Sequence, residues 1–423
     1  ESIDNQENSK AVRACHPISG QKQNISLKAE NQLNIDFIKE EHFIKKEPEA
    51  KKVFWWFWRF YPELFANQQQ DALLFPAHQV LPDCPLHSHQ SAVSALTGAM
   101  FPQSWKDGEK LKTPYLLLFS FSPVQEFIKS SRKFVDFWAG SYLLHYLSSK
   151  LCWYIAQELA PDALIVPSLW NQEIVDALII KEYSDFKTDF EKLQNGKNPV
   201  SRFDDKLSTS LSTAGFPNTI TVLVSGREGA QKWGKFLGDK LTKEWLGIGE
   251  KVRKHIRQQV TYFLNKKRTK VESIIKEVFP ELENNSPEFE LYFNELTNLK
   301  DKKKHGCWEW GKLWEAQLEN TWEPYWAAIP LGNPDYEKGL AIERDNNSFD
   351  ETWLKYQDNI AQPVLENFPY KSDLPDKFEL DFYQYFNVGT WWGSIQQRLG
   401  LCLNNVKYTR NWEIPTAPGE RST

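Results

Sequence analysis

Only five cysteines occur in 423 residues, Cys15, Cys84, Cys152, Cys307 and Cys402, and no two form a Cys-x-x-Cys pair. An odd, scattered set excludes a disulfide framework and a zinc ribbon, and fits a reduced compartment. Charge of one sign is also missing: 51 basic against 56 acidic side chains give a net charge of −5 and a pI near 6.0. A uniformly basic nucleic-acid binder is thereby excluded, and any such contact must be a local patch or pass through partners. No apolar run approaches the roughly 18 uncharged residues a spanning helix needs, and the opening residues lack a secretory pattern. The expectation is a cytoplasmic protein with no membrane partner. Internal repeats and low-complexity tracts are absent as well.

What is present is a large apolar and aromatic fraction, 41% and 14%, enough for a large core in two or more domains. The most informative segment is 116–147. Leu116–Phe121 reads as a buried strand ending at Ser122. Ser122 is placed to cap a helix, Pro123 fits its first position, and Gln125 sits where a capping-box partner reaches back. The helix is expected to continue unbroken to Leu147, with Val124, Phe127, Ile128, Ser131, Phe134, Val135 and Trp138 on one core face. Arg132 and Asp136 then fall on the other face, and Gly140-Ser141 permits close approach of a backbone or a ligand. A strand running into a helix start can hold a phosphate, although ordinary capping explains the same residues.

The remaining chain reads as follows. Residues 1–50 are polar and weakly patterned, with Lys45-Lys46 and Lys51-Lys52 as solvated charge, and the aromatic run Phe54–Tyr61 is the buried side of a helix. Helix and turn follow from Asp71 to Pro102, closing with the small-residue helix Ser91–Ala99. After a linker at Lys106–Lys110 come the strand-helix unit, short strands near Ala163–Pro167 and Thr219–Ser225, a long helix from Glu228 and a strand near Ala327–Leu331. Asn333-Pro334-Asp335 and Asp345-Asn346-Asn347 read as surface loops, and Phe378–Gly400 as partly helical.

The string Ser120-x-x-Pro123-Val124-Gln125-x-Phe127-Ile128, followed by Arg132, Asp136 and Trp138-Ala139-Gly140-Ser141-Tyr142-Leu143-Leu144, resembles the large Palm-domain subunit of type III-B CRISPR (Cmr) effector complexes. Weaker matches run in the same order: Cys15–Gly20, Leu81-Pro82-Asp83 through His89 to Leu96, Phe216-Pro217-Asn218, Trp322–Ala328 and Arg410-Asn411-Trp412. The resemblance implies an α+β protein. Its domains would be a helical, degenerate HD-like part at 1–105, a ferredoxin-like βαββαβ Palm at 112–332 with a helical insertion at about 242–320, and a helical and loop segment at 333–423. With Glu1 first and Thr423 last, the chain is expected to be the amino-terminal portion of a longer protein.

The resemblance also implies a function. The large subunit joins other Cmr subunits, CRISPR guide RNA and target RNA in an antiviral complex, and makes cyclic oligoadenylate from ATP. The family's Gly-Gly-Asp-Asp metal pair does not occur here; the one Asp-Asp, Asp204-Asp205, lies in a polar stretch and reads as a solvated turn. Mg or Mn would enter only with a second Palm. This chain would then supply the non-catalytic half of an ATP site, through Ser120, Ser122, Gln125, Arg132 and Ser141. No His-Asp dipeptide occurs, and Cys84 and Ser88 stand where the family's nuclease has His and Asp. Asp83, His87 and His89 remain as a weak metal set against a reading as caps or surface groups, so an active nuclease is not expected. Arg253, Lys254 and Arg257 with Lys266, Lys267 and Arg268 form a basic stripe for RNA phosphates or an acidic subunit, or simply a solvated face. A structural subunit with an inert Palm and a stand-alone nucleotide cyclase are the alternatives; the missing carboxylate pair argues against the second.

Overall fold

The computed structural model describes residues 11–15, 22–26, 49–68, 73, 76–78, 81–193, 215–281, 286–291, 312–331, 333–335, 339–341 and 390–409. Lys45-Lys46, Asp204-Asp205, Asp345-Asn346-Asn347 and Arg410-Asn411-Trp412 lie outside these residues. The strands are β1 (Ala11–Cys15), β2 (Lys22–Ser26), β3 (Pro76–His78), β4 (Leu81–Pro85), β5 (Pro114–Ser122), β6 (Leu164–Val166), β7 (Thr219–Ser225), β8 (Glu323–Pro330), β9 (Asn333–Asp335) and β10 (Gly339–Ala341). The α-helices are α1 (Ala50–Arg59), α2 (Tyr61–Gln68), α3 (Leu86–Met100), α4 (Val124–Lys129), α5 (Phe134–Glu158), α6 (Glu173–Glu182), α7 (Lys187–Lys192), α8 (Gly226–Lys266), α9 (Arg268–Val278), α10 (Lys312–Glu319) and α11 (Thr390–Tyr408). Two compact units result. One takes Glu1–Ser120, Lys133–Gly234 and Tyr325–Thr423, the other Phe121–Arg132 and Lys235–Pro324.

The first unit is built on a four-stranded sheet in the order β6-β7-β5-β8, with β7 antiparallel to both β5 and β6. Register pairs Leu116 with Leu223, Leu118 with Thr221 and Ser120 with Thr219. One sheet face, Leu116, Leu118, Leu223, Tyr325, Ala327 and Ile329, joins Ala95 and Ala99 of α3 and Ile395, Leu399 and Leu403 of α11 in one core. The alternate residues Leu117, Phe119, Ile220 and Val222 are fully buried too, and α5 packs against β6 and β7. Helices on both faces explain why Leu116–Phe119 is a continuous apolar run and not an alternating one. This is a mixed helical protein with a small antiparallel sheet.

The aromatic run does form a buried helix. Trp55, Trp56 and Phe60 are at most 1% exposed, Trp55 lies 5.3 Å from Trp153, and Phe60 meets Phe190 edge-on at 4.7 Å. Arg59 is buried among them. Its Nε and Nη2 donate to the two oxygens of Asp176 at 2.7 and 2.8 Å, its Nη1 meets Glu63 at 2.5 Å, and its guanidinium lies 5.2 Å from the Phe190 ring. Burial pulls the Arg59 pKa down, but the two carboxylates outweigh it and hold the group charged.

Several expectations need correction. The first 105 residues are not purely helical, because β1 pairs with β2 and β3 with β4 in two antiparallel hairpins. Asn333-Pro334-Asp335 is not a loop but β9, paired with β10. In the second unit, Phe121, Phe127, Trp245 and Trp322 form an aromatic cluster with ring centroids 4.9 to 5.6 Å apart. The long helix α8 starts in the first unit and continues into the second.

Candidate functional site

The strand ends at Ser122 as its sequence predicts, but the helix does not start as expected. Pro123 is still extended (φ −90°, ψ 114°) and is itself the N-cap, without a side-chain cap, so Ser122 caps nothing and α4 begins at Val124. The helix then stops after six residues. Ser130 turns back on it, its N–H bonding the Glu126 carbonyl at 3.1 Å and its hydroxyl donating to the Phe127 carbonyl at 2.7 Å. Serines compete with the helix in this way, and the pair Ser130-Ser131 breaks what apolar periodicity made continuous. The chain is extended again at Lys133 before α5 begins. The break re-phases the helix face. Phe134, Val135 and Trp138, expected in the core, are 83%, 69% and 46% exposed, and burial resumes only from Gly140.

The five nucleotide candidates are therefore differently placed. Ser122, Gln125 and Arg132 belong to the second unit, Ser120 and Ser141 to the first. Gln125 and Arg132 are exposed, and Ser122 and Ser141 half-buried. Ser120 is 1% exposed, and its hydroxyl accepts a hydrogen bond from Lys407 Nζ at 3.4 Å.

Two polar residues of the first unit escaped sequence reasoning. His145, buried on α5, accepts at Nδ1 from the backbone N–H groups of Gly215 and Phe216, at 2.9 and 3.0 Å, and packs edge-on to Phe216 at 5.3 Å. Two donors at Nδ1 require that ring to be neutral with its proton on Nε2, and burial lowers its pKa from 6.5 accordingly. His145 thus fixes the chain entering β7 at Phe216-Pro217-Asn218. No local signal announces it, because the partners are 70 and 71 residues away. Lys407 had a signal, because it continues the four-residue spacing of Ile395, Leu399 and Leu403 along α11.

Of the metal set, Asp83 stands in β4, and its side chain lies outside the described part of the structure. His87 is half-buried, 5.6 Å from the Trp170 ring, with its pKa lowered by burial, and His89 is exposed. Among the described residues no group of three or more His, Cys, Asp or Glu is arranged to hold a metal. The basic stripe divides. Arg253 is buried and paired with Glu250 and, at 3.8 Å, with Glu315; Arg268 is paired with Glu272 at 2.8 Å and with Glu290. Lys254, Lys266 and Lys267 are exposed, and Arg257 is half-buried. No helix among the described residues is long and apolar enough to cross a membrane.

Comparison with known proteins places these elements. Residues 116–264, from within β5 to near the end of α8, match the family model of the CRISPR-associated protein Cmr2, N-terminal. Over this region the chain is Cmr2-like. The resemblance read from the helix signature is borne out. The CRISPR system Cmr subunit Cmr2 of Pyrococcus furiosus is 30% identical to the Cmr2-like chain over 193 residues, 46% of this chain and 16% of that protein. The chain therefore spans 16% of the length of this curated relative. A cryo-EM structure of type III-B Cmr-beta in the apo state aligns with 84% of this chain and 32% of its own, with TM-score 0.51 and 16% identity. Another, of type III-B Cmr-beta bound to cognate target RNA, aligns with 81% and 31%, with TM-score 0.48 and 16% identity. At such identity the apo-state likeness is one of fold alone.

Proposed function

We propose that this Cmr2-like chain acts in the large subunit of a type III-B CRISPR RNA-guided complex, with other Cmr subunits, guide RNA and target RNA as its partners. The observation that carries this reading is where the family match falls: it runs from within β5 through β6 and β7, with the helices between them. The strand order β6-β7-β5-β8 supports reading this sheet as a ferredoxin-like Palm, because in a βαββαβ unit the first and third strands are central. Its contribution is the non-catalytic half of an ATP site for target-RNA-activated cyclic oligoadenylate synthesis. The candidate set suits a nucleotide and not a metal: three hydroxyls, an amide and the exposed Arg132 guanidinium include no carboxylate. When ATP is bound it is the adenylate donor, and Arg132 would hold a phosphate with Ser122 and Gln125 of the same unit beside it.

Co-expression with the other Cmr subunits and a guide RNA tests the assembly. This chain should co-purify with both, and its absence from the assembled complex would contradict the reading. Radiolabelled ATP incubated with the chain alone should give no phosphodiester product; any product would favour a stand-alone cyclase. One observation favours a second reading, a structural subunit with an inert Palm: Ser120 is sealed in the core with its hydroxyl already bonded.

A further inference from the structure

Residues 251–270, the distal part of α8 and the start of α9, hold eight lysines and arginines and no aspartate or glutamate, in a chain whose net charge is −5. Arg253 and Arg268 are paired with glutamates, Arg257 is half-buried, and Lys251, Lys254, Lys266, Lys267 and Lys270 are exposed. What separates this stretch from a solvated basic helix is its aromatics. Tyr262 is 60% and Phe263 55% exposed, side by side among the lysines. At 3.6 residues per turn, Lys251, His255, Gln258, Tyr262 and Lys266 line one face of α8, opposite the buried Arg253, and all five are exposed. Phe263 flanks this stripe, which is about 22 Å long at 1.5 Å per residue. Lys266 Nζ lies 5.5 Å from the centre of the Tyr262 ring, so cation and aromatic are already neighbours. All of these residues belong to the second unit.

The chemistry of the face selects its partner. An acidic protein surface would be met by the ammonium groups but offers nothing to two exposed rings, and an apolar surface would strip water from the lysines at a cost. A nucleic-acid duplex keeps its base faces stacked inside and presents phosphates. A single strand offers phosphates and free base faces together, and so uses the ammonium groups and the rings at once. The rings accept any base, because every base has a π-face.

We propose that this face of α8 binds single-stranded RNA, with Tyr262 and Phe263 stacking on bases and Lys251, Lys254 and Lys266 holding phosphates. RNA as the strand rests on the function proposed above, whereas the stacking surface rests on α8 itself. Fluorescence anisotropy of labelled oligouridine titrated with the 423-residue chain should show saturable binding, tighter than that of the same strand paired with oligoadenine. Tyr262→Leu with Phe263→Leu should weaken it about fivefold or more with the salt dependence unchanged, and Tyr262→Trp should retain it. Lys251→Gln with Lys254→Gln and Lys266→Gln should instead lessen the salt dependence, which a merely structural role would not move. Thermal unfolding is measured alongside, and should the double leucine variant not fold, Tyr262→Leu alone carries the test. Absence of oligouridine binding by the folded wild type, equal binding by the leucine variants, or equal binding of the duplex overturns the proposal, and so does tighter binding of oligothymidine. If the leucine variants bind oligouridine like the wild type while the chain still co-purifies with the Cmr subunits, the proposed function stands and the stacking surface fails. Loss of binding in those variants from a chain that does not co-purify gives the reverse.

Discussion

Removing one partner of the Arg59–Asp176 pair is the sharpest perturbation of the first unit. Both side chains are buried, the contact is bidentate at 2.7 and 2.8 Å, and Glu63, Asn171 and the Phe190 ring also lie against the guanidinium. Arg59→Met keeps most of the apolar stem but leaves the Asp176 carboxylate buried without its bidentate donor. Breaking a buried pair from one side costs about 3–5 kcal/mol, because the remaining charge has been taken from water. At roughly 2–4 °C per kcal/mol for a unit of this size, the melting temperature should fall by about 6–20 °C. Urea unfolding followed by tryptophan fluorescence should show the same loss as a lower midpoint with an unchanged slope. The double variant Arg59→Met with Asp176→Leu should recover a substantial part of it, since an apolar pair of similar volume carries no desolvation penalty. A single variant within about 1 kcal/mol of wild type, or a double variant no better than the single, would refute this account of the pair.

Other outcomes follow from the same geometry. The His145 pKa lies below 6.5, so the unfolded chain binds more protons as pH falls; its stabilisation is complete above 6.5 and is lost as pH drops towards the lowered value. His145→Gln should flatten the pH dependence of unfolding in that window, with His87→Gln as control because burial lowers His87 too; an unchanged profile would remove His145 as its source. A methyl at Gly234 would overlap the Trp326 indole, whereas one at Gly249 meets the movable end of Leu318. Denaturant midpoints should therefore show Gly234→Ala losing about 1–3 kcal/mol and Gly249→Ala less; equal effects would contradict this. Reversing Lys254, Lys266 and Lys267 to Glu should weaken RNA binding by the assembled complex and lessen its salt dependence, and unchanged binding would leave them a solvated face.

Much of the first unit was legible because it is written in local pattern. The run Leu116–Phe119 announced a buried strand and Phe54–Tyr61 a buried helix, whereas the stripe Ile395, Leu399 and Leu403 of α11 went unread beyond the expectation that Phe378–Gly400 is partly helical. Reading failed where a local competitor overrode periodicity. Ser130-Ser131 bonded back to α4 and broke it, which moved Phe134, Val135 and Trp138 from the expected core to the surface. At the candidate site, residue types were legible and their surroundings were not. Arg253 looked like any member of a basic stripe until Glu250 and Glu315 were found beside it, and Lys407 met Ser120 across 287 residues of chain. Such pairings depend on tertiary folding, to which spacing along one helix is blind.

Equilibrium binding of ATP to the 423-residue chain, wild type against Arg132→Ala, tests the central claim most directly. Arg132 is exposed, so both proteins should unfold alike. The account predicts saturable ATP binding by the wild type and at least tenfold weaker binding by the variant. Equal affinity in the two proteins, or no ATP binding by the folded wild type, would contradict it.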